Sequence, residues 1–151
     1  MAQVQDVAAY ILSKRGPMTA MKLQKLCYYA QAWHLVWDEH PLFDSRIEAW
    51  ANGPVIPELY AMHRGRMNLQ AGEILGEPAN LTQGERETID EVLNFYAGFG
   101  AHELSELTHR ESPWREAREA AGLQPMERGN AVIEHAAMVE YYDSLTVADD
   151  I

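Results

Sequence analysis

Six histidines and one cysteine are the side chains best suited to catalysis or metal binding in this chain: His34, His40, His63, His102, His109, His135 and Cys27. No histidine pair has the His-Glu-x-x-His spacing that puts two ring nitrogens and a general base on one helix face, and one cysteine cannot supply a zinc-binding pair. His109-Arg110-Glu111 is the nearest thing to an acid–base pair, because a carboxylate beside an imidazole can hold or pass a proton. The plainer reading is that Thr108, His109 and Glu111 tie off backbone ends where two helices meet. One histidine and one glutamate specify no reaction. Cys27 sits among apolar neighbours and reads as a small buried hydrophobe rather than a nucleophile. No Gly-x-Ser-x-Gly, Walker or Gly-x-Gly-x-x-Gly sequence occurs, and no glycosidase carboxylate pair stands out from spacing. The expectation is a protein that is not an enzyme, with no catalytic residue, metal ligand or cofactor.

The aromatic residues are more informative. Trp33 and Trp37 fall on one side of a helical stretch, with Tyr28 or Tyr29 rotated away from them. A helix apolar over so much of its circumference is either buried between layers or leaves aromatic surface for a partner. Trp50, Trp114 and Tyr60 lie elsewhere, and Trp and Tyr are enriched where binding energy concentrates.

These side chains must be positioned by a fold that 151 residues can build as one domain without a disulfide or metal. Hydrophobic residues make up 47% and charged residues 23%, a globular balance. The single cysteine suits a reducing cytoplasm, and no apolar run is long enough to span a bilayer. The first residues, Met1 to Asp6, carry no basic segment of the signal-peptide kind. The net charge of −11 repels phosphate backbones and anionic lipid and attracts basic partners, so nucleic acid and membrane are poor candidates. Lys22, Lys25, Arg64 and Arg66 are the candidates for a local basic patch and read as solvated surface residues.

The periodicity predicts a mainly α domain, 1–146, of six to seven helices, with a short two-stranded β element around 46–56 and an acidic tail, 147–151, that frays. Gln3 to Lys14 places Val4, Val7, Ala8, Ile11 and Leu12 on one face. Thr19 caps a second helix whose stripe is Leu23, Leu26, Cys27, Ala30, Trp33 and Trp37. Arg46 to Ala51 alternates as a strand, and Asn52-Gly53-Pro54 turns it. Pro57 opens a third helix to about Arg64, while Met67 to Pro78 reads as loop. Thr82 and Glu85 form a capping box before Ile89, Val92, Leu93 and Tyr96. Short helices follow over 101–107 and 112–121, the second with Ser112 as cap and Pro113 at its first position. Asn130 is expected to cap the last helix, with Val132, Ile133, Ala136, Val139, Tyr142 and Leu145 facing inward.

The order of these segments resembles the Panacea domain of SocA-like antitoxins, a domain also seen in phage-associated proteins. The resemblance rests on four pieces. They are Met18-Thr19 with Lys22 to Leu26 and Tyr28 to His34; Pro41 to Asp44 with Ile47 to Trp50; Asn52 to Tyr60; and Leu104 to His109 with Glu111 and Pro113-Trp114. Together they extend over about residues 5 to 142. Cys27 stands where an aliphatic residue is expected, and the loop Arg66 to Asn80 matches no family wording. The resemblance implies an antitoxin that neutralises a toxin encoded beside it by direct protein contact, the toxin being basic if charge guides the encounter. In the best-known kind it also implies delivery of that toxin to the ClpXP protease. The alternatives are a phage-associated adaptor with a non-toxin partner, a small enzyme or ligand-binding domain using His109 and Glu111, and a DNA-binding autorepressor, which the charge opposes. The residues that match the family wording and are unusual choices for packing are Lys22, Tyr28, Trp50, Asn52, Pro54, Glu58, Tyr60, His109 and Glu111. They are the candidate partner-binding set.

Overall fold

A computed structural model describes residues 2–149 of the chain, with the side chains of 147–149 left out. Among the described residues the regular structure comprises seven α-helices, one 3-10 helix (Pro78–Asn80) and four short strands. In order the α-helices and strands are α1 (Val4–Arg15), β1 (Met18–Thr19), α2 (Ala20–Asp38), β2 (Glu48–Trp50), β3 (Gly53–Val55), α3 (Pro57–His63), β4 (Asn68–Leu69), α4 (Gln83–Tyr96), α5 (Ala101–Arg110), α6 (Ser112–Ala120) and α7 (His135–Asp149).

The mainly α expectation holds, and the β element falls where it is expected: β2 and β3 pair antiparallel with Trp50 opposite Gly53. Gly53 has φ of 129°, a backbone conformation that residues with a Cβ rarely adopt. A second small sheet pairs β1 with β4, Met18 opposite Leu69, inside the segment read as loop. Two residues per strand give no period to detect, so only the tertiary pairing reveals it.

Helix α2 is the axis of the molecule. It packs against α1, α3, α4, α5, α7 and β3. Thr19 caps it as expected, its hydroxyl accepting from Lys22 N at 3.1 Å. Being surrounded, α2 buries polar residues along with its apolar stripe: Gln24, Lys25, Gln31 and His34 are each almost wholly inaccessible. Lys25 is therefore not a solvated surface residue. Trp37 departs in the opposite sense; it lies at the open end of the helix and is 46% exposed.

The buried glutamines satisfy backbone groups of the segments that wrap α2. Gln24 Oε1 accepts from Ile56 N at 2.8 Å, and its Nε2 donates to Ile56 O at 3.3 Å. Gln31 does the same for the chain entering from Pro41, accepting from Leu42 N at 2.7 Å and donating to Phe43 O at 2.7 Å. An amide side chain offers one donor and one acceptor in the geometry of a peptide group, so it can stand in for a missing strand neighbour. Gln24→Leu is expected to destabilise the fold by about 1–3 kcal/mol, because it leaves the buried Ile56 N–H unpaired, whereas Ile56 O keeps its bond from Tyr60 N. Chemical denaturation measured beside the exposed control Gln70→Leu checks this.

Expected caps and core positions recur elsewhere. Thr82 N donates to Glu85 Oε1 at 2.8 Å, and Glu85 N to Thr82 Oγ1 at 3.2 Å, completing the capping box of α4. Ile89, Val92, Leu93 and Tyr96 are buried, as are the five apolar residues expected on α1. The last helix differs. Residues 131–133 are extended rather than helical, Val132 bridging Glu48, with Ala49 N donating to Ala131 O and Ile133 N donating to Ile47 O. Strand β2 is thus flanked on both edges. The helix starts only at His135; Tyr142 is buried as expected and Met138 is buried with it, whereas Ala136 is exposed. β-branched Val132 and Ile133 suit the extended state, and the open edge of β2 decides it. At the other end α7 continues through Asp149, so 147–149 are helical; the rest of the expected tail, 150–151, lies outside the described residues. Helix α6 is capped by Glu111 rather than by Ser112, which is its first residue.

Candidate functional site

Two adjoining depressions on one face share a single lining residue, Asn52, at the exposed tip of the β2–β3 turn. The first, of about 510 Å³, is bordered by His102, Ser105, Glu106, His109 and Arg110 of α5. The second is a groove of about 850 Å³, bounded by Met21, Trp50, Tyr60, Arg64 and the loop from Arg128 to Asn130, with Glu48 at its floor.

The turn between them is held from both sides. Ser105 Oγ donates to Asn52 O at 2.8 Å, and Trp114 Nε1 donates to Trp50 O at 2.8 Å. His109 reaches Ser105 O through Nδ1 and Ala51 O through Nε2, the latter at 3.2 Å. Its ring lies 3.9 Å from that of Trp114, centroid to centroid. His109 therefore links α5 to the turn through Nε2, while Nδ1 faces a carbonyl of its own helix. Beneath the turn, the Lys25 ammonium approaches Gly53 so closely that a Cβ there would stand 2.6 Å from Lys25 Cε. Burial alone pulls Lys25 down from its ordinary 10.5 to about 8.

Glu111 is placed differently. Its Oε1 accepts from Tyr29 at 2.7 Å and from Tyr142 at 2.8 Å, inside a cluster in which Tyr142 also meets Tyr28 at 3.0 Å. Tyr29 stacks on Tyr96 at 3.9 Å, and Tyr96 accepts from Trp33 Nε1 at 3.0 Å. Burial holds the Glu111 carboxyl above its ordinary range, opposed by the two tyrosine hydroxyls. His109 and Glu111 thus serve separate sets of partners and do not converge on one pocket, and the enzyme reading loses its motivation. Among the described residues, no group of three His, Cys, Asp or Glu side chains is placed to hold a metal. No described helix is long and apolar enough to cross a membrane.

Of the nine candidate partner-binding residues, Trp50, Asn52, Tyr60 and His109 line the two depressions. Pro54 is buried within β3, and Glu58 is exposed and accepts from Ser45 Oγ. Lys22 Nζ donates to Ala97 O at 2.7 Å, closing the C-terminal end of α4. Tyr28 and Glu111 are interior. The groove also contains residues that sequence reasoning missed, Arg128 and Asn130 above all, because only the bridge from Val132 to Glu48 brings that loop beside the turn. Asn130 is expected from the sequence only as a helix cap, and nothing local marks Arg128-Gly129-Asn130 as part of a surface.

No curated protein and no solved structure gives a significant match to the chain. A family model described as "Antitoxin SocA-like, Panacea domain" matches residues 23–115. The match is shorter than the 5–142 over which resemblance extends. It leaves α1 and α7 outside and runs from the first turn of α2 into α6, taking in the β2–β3 turn, Tyr60, Arg64 and all of α5. This chain belongs to the SocA-like Panacea-domain antitoxin family.

Proposed function

We propose that this protein is an antitoxin that neutralises a toxin encoded beside it by direct contact, and that the contact surface is the face centred on Asn52. The observation that supports this most strongly is where the family match falls. It contains every lining residue of the smaller depression and most of those of the groove. Trp50 and Tyr60 meet edge to face there at 5.1 Å, the residue types that dominate binding energy when a partner covers them. The buried network beneath fixes the turn before a partner arrives, so little ordering entropy is lost on binding. The setting for this is the cytoplasm.

The chain has 23 acidic and 12 basic side chains, so its field draws a basic partner in. Association with the purified toxin is therefore expected to slow about 10-fold or more between low and physiological salt, with a smaller change in the dissociation rate. Stopped-flow mixing over a salt series measures this; an association rate indifferent to salt removes steering from the proposal. Delivery of the bound toxin to ClpXP belongs to the same proposal. Its readout is a toxin half-life that shortens on co-expression only in cells containing ClpX. The antitoxin role is tested by growth: a neighbouring gene that arrests cells alone and spares them when this chain is co-expressed supports it. Neighbours that are harmless alone move the reading to an adaptor for another protein.

A further inference from the structure

The larger groove carries a charge opposite to that of the molecule around it. Its charged lining consists of Arg64, Arg128 and Glu48. Glu48 is already engaged: Oε2 accepts from Arg46 Nε at 2.7 Å and Oε1 from Trp50 Nε1 at 2.9 Å. Neither Arg64 nor Arg128 forms an ion pair among the described residues, where Arg46, Arg66 and Arg115 do. Both guanidiniums of the groove therefore stand without a carboxylate partner among the described residues, in a chain whose net charge is −11.

Both are held on prepared supports. Arg64 caps α3, whose first turn is fixed by the clamp of Gln24 on Ile56. Arg128 follows a loop gripped by buried Arg118, which donates to Ala49 O at 2.9 Å and to Gln124 O at 3.1 Å, and also to Glu127 O. Asn130 precedes the segment bonded to β2. The Trp50–Tyr60 edge forms the apolar wall between these supports.

We propose that this groove receives an acidic segment of the partner protein, an aspartate or glutamate pairing with Arg64 and Arg128 while an adjacent apolar side chain packs on Trp50 and Tyr60. This rests on the antitoxin reading and refines it: the toxin is basic overall but inserts an acidic anchor here. A guanidinium fork matches a carboxylate in two parallel hydrogen bonds, which fixes orientation as well as adding affinity. The opposite sign of the groove and of the chain's net charge would set the register of docking and reject partners with basic segments at this point.

The test uses the full chain in the growth assay and a photo-cross-linker. Arg64→Glu with Arg128→Glu is expected to weaken toxin binding on the order of 100-fold and to abolish rescue. Arg64→Lys with Arg128→Lys should keep part of the binding, and Arg15→Glu, a charge reversal on α1, should keep all of it. Thermal midpoints close to that of the parent protein show that each variant is folded. Rescue by the double glutamate variant at parental level overturns the proposal. In parallel, p-benzoylphenylalanine at position 60 is irradiated in cells and the attached peptide sequenced. An acidic segment, lost in the double glutamate variant, supports the groove assignment; a neutral or basic segment, or no adduct, overturns it. If neither neighbouring gene is toxic, the antitoxin reading fails by itself, and the cross-linked segment still decides what the groove binds.

Discussion

Glu111→Leu is expected to lower the stability of the fold by about 2–4 kcal/mol, whereas Glu111→Gln should stay within about 1 kcal/mol of the parent at neutral pH. The difference follows from what each replacement leaves behind. A single carboxylate oxygen accepts both the Tyr29 and Tyr142 hydroxyls, and all three residues are buried. Leucine removes the acceptor and strands two hydroxyls away from water, although Tyr142 retains Tyr28. Glutamine keeps a carbonyl oxygen where Oε1 stands. The effect has a pH signature. Burial raises the Glu111 pKa in the folded protein, so the native state holds that proton more tightly than the unfolded chain does. Its contribution is greatest below the unfolded pKa and is lost as pH rises through the folded one. Urea midpoints measured upward from pH 4 should therefore diverge, the Gln variant gaining on the parent as Glu111 ionises. A constant gap between the two would show that Glu111 does not titrate differently in the folded state. Because Tyr142 lies on α7 and Tyr29 on α2, the same substitution should loosen α7 first, visible as faster amide exchange along that helix.

Lys25→Met should have the opposite sign, raising stability at pH 7 by about 2–3 kcal/mol. Lys25 is 1% exposed, and burial is the cause of its fall from 10.5 to about 8. Keeping it charged in the folded state at neutral pH carries a desolvation cost that methionine, similar in length and uncharged, does not. The sign over pH is definite. Between about 8 and 10.5 the unfolded chain binds the proton and the native protein does not, so stability rises with pH across that window. The advantage of the Met variant should shrink over the same window. A Met variant less stable than the parent at pH 7 would mean that the ammonium makes a stabilising contact worth more than its desolvation. Gly53 is tied to this site. A side chain there would meet the end of Lys25 at 2.6 Å and adopt a φ of 129°, so glycine is the residue that fits this turn over the buried lysine.

The helices were legible in the sequence wherever one face alone is apolar. The capping box at Thr82 and the periodic residues of α1 and α4 gave both type and position. Helix α2 was legible as a helix but not as an axis. Burial of Gln24, Lys25 and Gln31 depends on neighbours packed around it on every side, and periodicity registers one face only. The segment 131–133 misled because an apolar run after Asn130 also fits a helix start, and only the open edge of β2 selects the extended form. For the site, the family wording picked out the turn, Tyr60 and His109, but it mixed surface residues with interior ones. Tyr28 and Glu111 are interior framework, and wording that reflects framework looks the same as wording that reflects contact. Arg128 and Asn130 could not be found this way, because their place beside Trp50 is made by the tertiary bridge.

The most direct measurement is the affinity of the purified chain for the toxin encoded beside it, before and after Asn52→Trp, by titration calorimetry. Asn52 is exposed, is the one lining residue common to both depressions, and engages α5 through its backbone carbonyl, so its side chain can change without loosening the fold. An indole on that ridge should weaken binding on the order of 100-fold, with an unchanged unfolding midpoint and loss of growth rescue. Parental affinity in the Asn52→Trp variant would contradict the assignment of this face as the site of toxin neutralisation.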